Sequence, residues 1–360
     1  MKVCIIMGTR PEIVKGASLV RHCEKKGTDY FILHTGQHYS YELSKLFFEE
    51  LELPEPKYNM EGGRGTFRFQ VGAMLRGIEE VLRKERPDTV LVIGDTNSVL
   101  AGALAGNKLN IKVGHVEAGL RSHDIQMLEE TNRIITDHVS DFMFAPTEEA
   151  KKNLTEEGLD EKKIYVTGNT VVDALVQHRE MAERKADTLK KLDLKRNKYM
   201  VMTINRAENV DFRDRFKETL KGLDLVHKKF GLPLVWPVHP RAQKMLSEFG
   251  LDIPEGIRLI DPLGCLEFLQ LQSNARLVLT DSGGIQEESC ALKVPCVTVR
   301  DSTERPETIK AGSNVISTID SEKILESADI MINKKRNWEN PYGDGRTAER
   351  IFGILEKSLD

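Results

Sequence analysis

The sequence is poor in the residues that stabilise disulfide-rich or zinc-bound domains. Only five of its 360 residues are cysteine; they are scattered, and no Cys-x-x-Cys pair or Cys/His cluster occurs. An odd, dispersed set of this kind predicts reduced thiols, without a disulfide framework or a metal site. Cys290 and Cys296 are the closest pair in sequence, and we expect two buried thiols there. This cysteine usage predicts a cytoplasmic protein.

The chain also lacks long apolar runs and an excess of positive charge. No run approaches the roughly 18 apolar residues that cross a bilayer, and the segment Met1–Gly8 is too short for the apolar region of a signal peptide. Lys plus Arg number 52 and Asp plus Glu 56, which gives a net charge of −4. This balance argues against a nucleic-acid-coating protein, although a local basic pocket remains compatible with it. We therefore expect neither nucleic acid nor a membrane as a partner.

What the sequence does contain is a repeated alternation of strand-like and helix-like segments. Short apolar runs alternate with helical periodicity, and the rhythm restarts in the second half of the chain. Continuous apolar runs separated by helices are typical of parallel strands that are buried on both faces. The predicted strands are Lys2–Met7, Tyr30–His34, Thr89–Ile93, Lys112–Val116, Phe142–Ala145, Ile164–Val166, Tyr199–Ile204, Leu234–Val238, Ile257–Ile260, Leu277–Thr280, Cys296–Val299 and Asn314–Ile316.

Two sets of six strands predict an α/β protein with two doubly wound, Rossmann-like domains. We place the N-terminal domain at residues 1–170 and the C-terminal domain at 171–344, and expect a helix over 345–360 that could pack back on either. Residues 173–197 are charged and lack a strand pattern, so we predict a helix and linker there. Two such domains would form a cleft between the carboxyl ends of their strands, where ligands bind in open α/β sheets.

The first strand runs directly into Gly8-Thr-Arg-Pro-Glu12. A glycine turn followed by Pro11 at a first helical position predicts a helix that begins at the strand tip. Arg10 and Lys15 would lie near that helix N-terminus, an arrangement suited to an anion. The alternative is that Arg10 pairs with a neighbouring carboxylate, and the two readings are about equally supported by the sequence.

A second candidate anion site is the segment Thr280–Glu288, in which a strand, a glycine turn and a helix follow one another. Ser282 could cap the helix, and the amides of Gly283 and Gly284 could approach phosphate oxygens closely. Glu288 could accept hydrogen bonds from the two hydroxyls of a ribose. An ordinary capped helix with glycines for a tight turn is the alternative, and the context favours phosphate binding.

Charged residues that follow other strands could complete an anion pocket. Arg305 lies in the charged segment Arg300–Glu307, which could equally be a solvated connector. Arg206 could contact a ligand or simply pair with Glu208. His239 follows a strand, where an ordinary turn is the alternative.

Acidic residues gather at the predicted ends of neighbouring strands in the first half. Asp95 and Glu117 each follow a strand, and Glu129 lies in the loop and helix just after. Converging carboxylates raise one another's pKa, which general acid–base chemistry uses. The alternative for Glu129, and for the adjacent Glu130, is a helix-start charge that favours the helix dipole. Nearby arginines already supply charge, so a metal is not required. The loop His34–Tyr39 could face the same cleft or be an ordinary polar loop.

Together these motifs resemble the non-hydrolysing UDP-N-acetylglucosamine 2-epimerase family over essentially the whole chain. The matching segments are Gly8-Thr-Arg-Pro-Glu12, Gly94-Asp-Thr-Asn97, His115-Val-Glu-Ala-Gly-Leu-Arg121, Glu129-Glu-Thr-Asn-Arg133, Gly168-Asn-Thr170, Asp281-Ser-Gly-Gly-Ile-Gln-Glu-Glu288, Thr303-Glu-Arg-Pro-Glu307 and Asn340-Pro-Tyr-Gly-Asp-Gly345.

The resemblance implies a fold like that of the GT-B glycosyltransferases, with a deep cleft and with neither metal nor nicotinamide cofactor. It implies inversion of C2 of UDP-GlcNAc to give UDP-ManNAc, through elimination of UDP to 2-acetamidoglucal and its re-addition. It also implies a homodimer and a role in supplying surface polysaccharide or glycoprotein glycans. The implied acid–base residues are Asp95, Glu117 and Glu129. The implied UDP contacts are Arg10, Lys15, Ser282, Gly283, Gly284, Glu288 and Arg305.

Two positions depart from the family pattern. The family motif His-Arg-x-Glu-Asn begins with Asn205 here, and the usual proline before Glu129 is Leu128. Asparagine can hydrogen-bond but cannot titrate near neutrality. Asn205 is therefore a catalytic candidate that could hydrogen-bond a ligand but could not exchange a proton with it. Arg206 and His239 are added as substrate-binding candidates. The alternatives are an epimerase for a modified sugar such as UDP-2,3-diacetamido-2,3-dideoxyglucuronate, a GT-B glycosyltransferase, and a UDP-sugar-binding pseudoenzyme.

Overall fold

The computed structural model describes residues 1–37, 41–60, 67–123 and 127–359. It divides the chain into two compact units. The first comprises Met1–Gln177 and Tyr342–Asp360, and the second comprises His178–Pro341. Among the described residues, no helix combines the length and the apolar character that crossing a membrane would need.

The described part of the first unit contains one parallel sheet. Its strands are β1 (Lys2–Met7), β2 (Asp29–His34), β3 (Tyr58–Asn59), β4 (Thr89–Ile93), β5 (Lys112–Val116), β6 (Phe142–Ala145) and β7 (Ile164–Val166). They lie in the order β3-β2-β1-β4-β5-β6-β7, so the direction of winding changes between β1 and β4. Strands β4 and β6 are buried throughout, as their unbroken apolar runs predict.

The second unit repeats this topology with six parallel strands. They are β8 (Met200–Thr203), β9 (Leu234–Pro237), β10 (Ile257–Ile260), β11 (Val278–Thr280), β12 (Cys296–Thr298) and β13 (Asn314–Ile316). Their order, β10-β9-β8-β11-β12-β13, places the change of direction between β8 and β11. In α/β sheets of this kind, ligands bind outside the carboxyl ends of the strands at such a point.

Helices connect the strands in both units. They are α1 (Arg10–Lys26), α2 (Tyr41–Glu50), α3 (Phe67–Glu85), α4 (Asn97–Lys108), α5 (Leu128–Val139), α6 (Glu148–Glu156), α7 (Thr170–Lys185), α8 (Thr188–Lys191), α9 (Ala207–Val210), α10 (Arg213–Phe230), α11 (Pro240–Phe249), α12 (Cys265–Ser273), α13 (Gly283–Ala291), α14 (Pro306–Lys310), α15 (Ser321–Ile332) and α16 (Thr347–Leu359).

Alternate side chains of one strand pack into different hydrophobic clusters, one on each face of the sheet. Both faces of the sheet must therefore be covered by helices. Met200 and Met202 of β8 pack in one cluster with Phe216 of α10. Val201, between them, packs in another with Leu271 of α12. Successive side chains of a strand point to opposite faces, so an unbroken apolar strand requires helices on both sides.

Most predicted strand bounds agree with the structure to within one residue at each end. The two-residue β3 was missed, because two residues carry no periodic signal. The first helix begins at Arg10, one residue before the predicted first position at Pro11, and the last begins at Thr347, two residues after the predicted start at 345. That last helix belongs to the first unit, where Phe352 stacks on His22 of α1 with ring centroids 4.7 Å apart.

The segment between the two domains contains more helix than a linker would. Helix α7 spans the division at residues 177 and 178, and α8 follows it. All five cysteines lie within the described residues and are thiols. Cys265 is half-buried and the others, including Cys290 and Cys296, are buried as expected.

Candidate functional site

In the first unit, Glu117 follows β5 and is the most tightly held of the predicted carboxylates. It is buried, its Oε2 lies 2.7 Å from Nζ of Lys15, and its Oε1 accepts a hydrogen bond from Asn169 at 2.9 Å. Its backbone φ of 78° lies in the left-handed region, which costs a non-glycine residue of order 1 kcal/mol or more. A strained backbone of this kind persists only where the surrounding contacts hold it in place. The contacts with Lys15 and Asn169 therefore hold the Glu117 side chain in one orientation.

Asp95 follows the neighbouring strand β4 and is paired with a different cation. Its Oδ2 accepts hydrogen bonds from Nε and a terminal nitrogen of Arg133, at 3.0 and 2.6 Å. The side chain of Asn132 donates to the Asp95 carbonyl oxygen at 2.9 Å. The sequence predicted that converging carboxylates would act on one another. Instead, Asp95 and Glu117 each have a cationic partner, because α1 and α5 bring Lys15 and Arg133 to these strand ends.

The two glutamates at the start of α5 have different surroundings. Glu129, the predicted acid–base residue, is exposed in the first turn of the helix. Glu130 is buried and accepts hydrogen bonds from the backbone amides of Ser122 and His123 and from Arg133. Burial alone would raise its pKa, but these donors hold the pKa of Glu130 below its usual value. Glu130 therefore holds the backbone at Ser122 and His123 next to α5.

Glu12 is a buried carboxyl that the sequence analysis did not single out as a functional group. It follows β1, is 2% exposed, and accepts hydrogen bonds from the amides of Gly8 and Thr9 and from the hydroxyl of Thr96. Burial outweighs these neutral donors and raises the pKa of Glu12 to about 7. Its position one residue beyond Pro11 was visible in the sequence, but its burial was not.

The two cations predicted to bind an anion at the start of α1 have separate surroundings. Lys15 forms the ion pair with Glu117 described above. The guanidinium of Arg10 lies over the ring of Phe47, 5.3 Å from its centroid. Arg10 is half-buried beside the first turn of the helix. This aromatic contact was not expected from the sequence, which suggested a carboxylate as the alternative partner.

In the second unit, Asp281 at the end of β11 holds the loop that follows β8. Its Oδ2 accepts hydrogen bonds from the amides of Asn205 and Arg206, both at 2.8 Å, and from the side chain of Asn209 at 3.2 Å. Burial raises the pKa of Asp281 despite these donors. Asn205 and Arg206 are thereby fixed next to the start of α13.

The start of α13 has the predicted strand–turn–helix arrangement, with one difference. Ser282 is at the N-cap position, but its side chain accepts no capping hydrogen bond. A Cβ on Gly283 would lie 2.3 Å from Oε1 of Glu304, whereas a Cβ on Gly284 would meet no atom within 4 Å. A side chain at position 283 would therefore displace the Glu304 carboxylate, whereas Gly284 borders open space. Glu288, one turn further along, is half-buried.

Arginines and glutamates from the two segments that follow β8 and β12 surround this helix start. Arg300 donates to Glu304 at 2.7 Å and to Glu208 at 2.9 Å, and Arg206 lies 3.4 Å from Glu304. Of the two alternatives for Arg206, pairing with Glu208 is not formed, since each of these residues has another partner. Burial alone would raise the pKa of Glu304, but Arg305 and Arg300 hold it at about 2.

The segment Arg300–Glu307 is not the solvated connector that the sequence left open. Arg300 and Arg305 are buried, and Arg305 donates to Glu287. Since β12 ends next to β11, the charged residues after it lie beside the start of α13. The arrangement concentrates cations around a helix N-terminus, which suits an anionic group such as phosphate.

The two predicted histidine positions lie in ordinary local contacts. His239 is exposed at the N-cap of α11, where its Nδ1 accepts from the amide of Arg241 at 3.2 Å. His34 is buried and its Nδ1 lies 2.9 Å from Oδ1 of Asn59. His38 and Tyr39, from the same predicted loop, lie outside the described residues. Within the described ranges, no group of three His, Cys, Asp or Glu side chains is arranged to hold a metal ion.

Comparison with known proteins gives consistent matches along the chain. A family model described as UDP-N-acetylglucosamine 2-epimerase matches residues 21–356. The UDP-N-acetylglucosamine 2-epimerase of Methanocaldococcus jannaschii is 51% identical over 361 residues, which cover 99% of each protein. The UDP-2,3-diacetamido-2,3-dideoxy-D-glucuronate 2-epimerase of Pseudomonas aeruginosa is 39% identical over 362 residues, which cover 99% of this chain and all of that protein.

A solved structure extends the similarity to three dimensions. The crystal structure of Methanocaldococcus jannaschii UDP-GlcNAc 2-epimerase, in complex with UDP-GlcNAc and UDP, matches with a TM-score of 0.90 at 51% identity. The match covers 99% of this chain and 100% of that one. It confirms the predicted fold class, two Rossmann-like domains of the GT-B-like kind.

Proposed function

Because the chain belongs to the UDP-N-acetylglucosamine 2-epimerase family, we propose that it inverts C2 of UDP-GlcNAc to give UDP-ManNAc. The observation that carries the proposal is Glu117, buried in a left-handed conformation and paired with Lys15 at the end of β5. A carboxylate fixed in this way is suited to moving a proton at a defined carbon.

We assign proton transfer to groups of the first unit. The C2 proton of the sugar is only weakly acidic, since no carbonyl is adjacent to C2 in the ring. A route that removes the C2 proton and eliminates UDP from C1 gives 2-acetamidoglucal. Re-addition of UDP at C1, with a proton delivered to the opposite face of C2, gives the inverted product. Glu117 and Asp95 are the proposed proton acceptor and donor, and Glu129 is the third candidate.

We assign UDP binding mainly to groups of the second unit. Departure of UDP develops negative charge, which fixed donors must stabilise. The amides of Gly283 and Gly284, the hydroxyl of Ser282 and the guanidinium groups of Arg206 and Arg305 are the proposed donors. The remaining proposed substrate contacts are Arg10, Lys15, His239 and Glu288. Asn205 is proposed to hydrogen-bond the substrate without exchanging a proton.

Proton NMR of UDP-GlcNAc with the purified protein in D₂O tests the proposal. We expect deuterium at C2 together with the signals of UDP-ManNAc. If UDP-GlcNAc shows line broadening but no exchange, the protein binds the nucleotide sugar without epimerising it, and the proposal is wrong. Transfer of the sugar to an added acceptor would instead indicate a glycosyltransferase.

A modified sugar is the second candidate substrate, since the similar Pseudomonas aeruginosa protein is named for UDP-2,3-diacetamido-2,3-dideoxy-D-glucuronate and Asn205 departs from the family motif. That sugar carries a carboxylate that UDP-GlcNAc lacks. Comparing kcat/KM for the two substrates separates the candidates. Equal or better use of UDP-GlcNAc removes the modified sugar.

We further infer a homodimer that works in the cytoplasm and supplies UDP-ManNAc for surface polysaccharide or glycoprotein glycans. The family resemblance supports the dimer, and the reduced cysteines support the compartment. Light scattering coupled to size-exclusion chromatography tests the dimer. A mass near that of one chain at micromolar concentration would contradict it.

A further inference from the structure

Behind the strand ends that carry Asp95 and Glu117 lies a chain of linked polar side chains, buried except at its outer end, without a role in the proposed mechanism. It runs from His115 of β5 through Asp137 of α5 and Arg121, and ends at Glu157 after α6. His115 and Asp137 are fully withdrawn from solvent. Buried charges are costly unless they are fully paired, so their placement here calls for a reason.

His115 uses both ring nitrogens. Its Nε2 lies 2.7 Å from the carbonyl oxygen of Gly94, and its Nδ1 lies 2.6 Å from Oδ1 of Asp137. A carbonyl oxygen can only accept, so Nε2 donates to Gly94. Nδ1 faces a carboxylate oxygen of Asp137, so each ring nitrogen bonds a different group and the ring bridges Gly94 and Asp137.

Asp137 connects this ring to the turn after Glu117. Its Oδ2 accepts from the amide of Gly119 at 3.1 Å and from Arg121 at 2.7 Å. Burial alone would raise its pKa, but the charges of His115 and Arg121 hold the pKa of Asp137 below its usual value. One carboxylate thus links the turn, the ring and the arginine.

The two residues held by this chain flank the two proposed acid–base groups. Gly94 directly precedes Asp95, and Gly119 is two residues after Glu117. The Glu117 turn is strained, with φ at 78°, and Gly119 leaves no room beside it, since a Cβ there would lie 2.2 Å from the carbonyl oxygen of Ala150. A strained turn persists only where its surroundings hold it on both sides.

We propose that His115 is a positioning residue, which fixes the Asp95 and Glu117 strand ends relative to each other through its bonds to Gly94 and Asp137. This role rests on the proposed epimerase function. His115 itself touches no substrate atom in this mechanism. A displacement of about 1 Å in a reacting group can cost on the order of 10²-fold in rate, so loss of the linkage should lower kcat and leave substrate binding nearly unchanged.

The variant His115→Gln tests the proposal, because one amide group cannot reach both partners of the imidazole ring. We expect kcat to fall about 30- to 100-fold, with KM for UDP-GlcNAc within about threefold of the wild type. Asp137→Asn is the second variant should the first fail to fold. It keeps the shape of Asp137 but removes its charge.

Glu157→Gln is the matched control. Its side chain is 29% exposed and bonds Arg121 at the outer end of the same chain of charges. We expect this variant to unfold at a lower temperature and to keep kcat within about twofold. If the loss of kcat merely follows the loss of thermal stability across the three variants, or if His115→Gln has the kcat of the wild type, the positioning role is wrong.

Hydrogen exchange provides a readout that does not need activity. In His115→Gln, amides of the segments around Asp95 and Glu117 should exchange faster than in the wild type, whereas those around β9 should not. Equal exchange in both proteins would overturn the proposal even if the wild type lacked epimerase activity. An inactive wild type would overturn the proposed function alone.

Discussion

Glu12 in the first unit and Glu304 in the second follow strand ends at similar depth, but their pKa values move in opposite directions. Glu12 is 2% exposed and has a pKa of about 7, whereas the Glu304 side chain is 7% exposed and has a pKa of about 2. Glu12 accepts only from neutral amides and a hydroxyl. Glu304 lies among arginines. Neighbouring charge, and not depth, therefore decides the state of a buried carboxyl here.

The charged groups at the strand ends also differ between the two units. In the first unit, two strand-end carboxylates are paired with cations, Glu117 with Lys15 and Asp95 with Arg133. In the second unit, several arginines and open glycine backbone surround the start of α13. Two sheets of the same topology thus present opposite chemistry. The first is suited to exchanging protons and the second to holding an anion.

The largest effect that this comparison predicts is for Glu117→Gln. Removing a proton acceptor costs on the order of 10²–10⁴ in rate, and we expect turnover to fall at least about 10³-fold. UDP affinity, measured by calorimetry, should stay within about threefold, because the proposed main contacts lie in the second unit. Glu148→Gln, on an exposed position of α6, is the control. Substantial turnover in Glu117→Gln would remove proton transfer from this residue.

The second prediction concerns the pH dependence of stability. A raised pKa means that the folded protein binds the Glu12 proton more tightly than the unfolded chain does. This contribution is fully present below the usual pKa near 4.5 and is lost as the pH rises through about 7. Relative to Glu12→Gln, the wild type should lose on the order of 2 kcal/mol of unfolding free energy between pH 5 and pH 8.

Urea unfolding at several pH values measures this loss, and Glu304→Gln provides the opposite case. The pKa of Glu304 is lowered, so its contribution is present above about 4.5 and is lost as the pH falls toward about 2. The two variants should therefore differ from the wild type with opposite dependence on pH. Parallel profiles for all three proteins would contradict the comparison.

A smaller effect is expected when an arginine of the second unit is replaced. Arg206 is 39% exposed and pairs with Glu304 at 3.4 Å, so Arg206→Gln should fold normally. Losing one charge-assisted hydrogen bond at a half-exposed position should raise the Kd for UDP about tenfold. Arg215→Gln, which removes an outward ion pair with Asp301, should leave the Kd within twofold. Equal Kd values for the two variants would argue against UDP binding at Arg206.

The smallest effect is expected for Asn205→His, which restores the family histidine. We expect kcat at pH 8 to change only a few-fold. The pH–rate profile should gain an inflection near 6.5 that the wild type lacks, because imidazole titrates there and an amide does not. An unchanged profile would show that the side chain at this position does not contact the reacting groups.

The sequence could predict the order of the elements and much of the fold class, because parallel buried strands leave unbroken apolar runs. It could also place the functional groups at strand ends, since motifs such as Gly8–Glu12 and Asp281–Glu288 follow those runs directly. It could not predict which cation pairs with which carboxylate. Arg206 and Glu208 are two residues apart, yet their partners are Glu304 and Arg300.

What the sequence by itself determined is local: the apolar periodicity that makes two doubly wound sheets, and the glycine turns that begin helices at strand tips. Only the tertiary structure decided the charge states and orientations at those tips. Lys15 and Glu117 are 102 residues apart, and His115 and Asp137 are 22 apart. Electrostatic interactions depend on distances in space and on local burial, and neither is set by spacing along the chain.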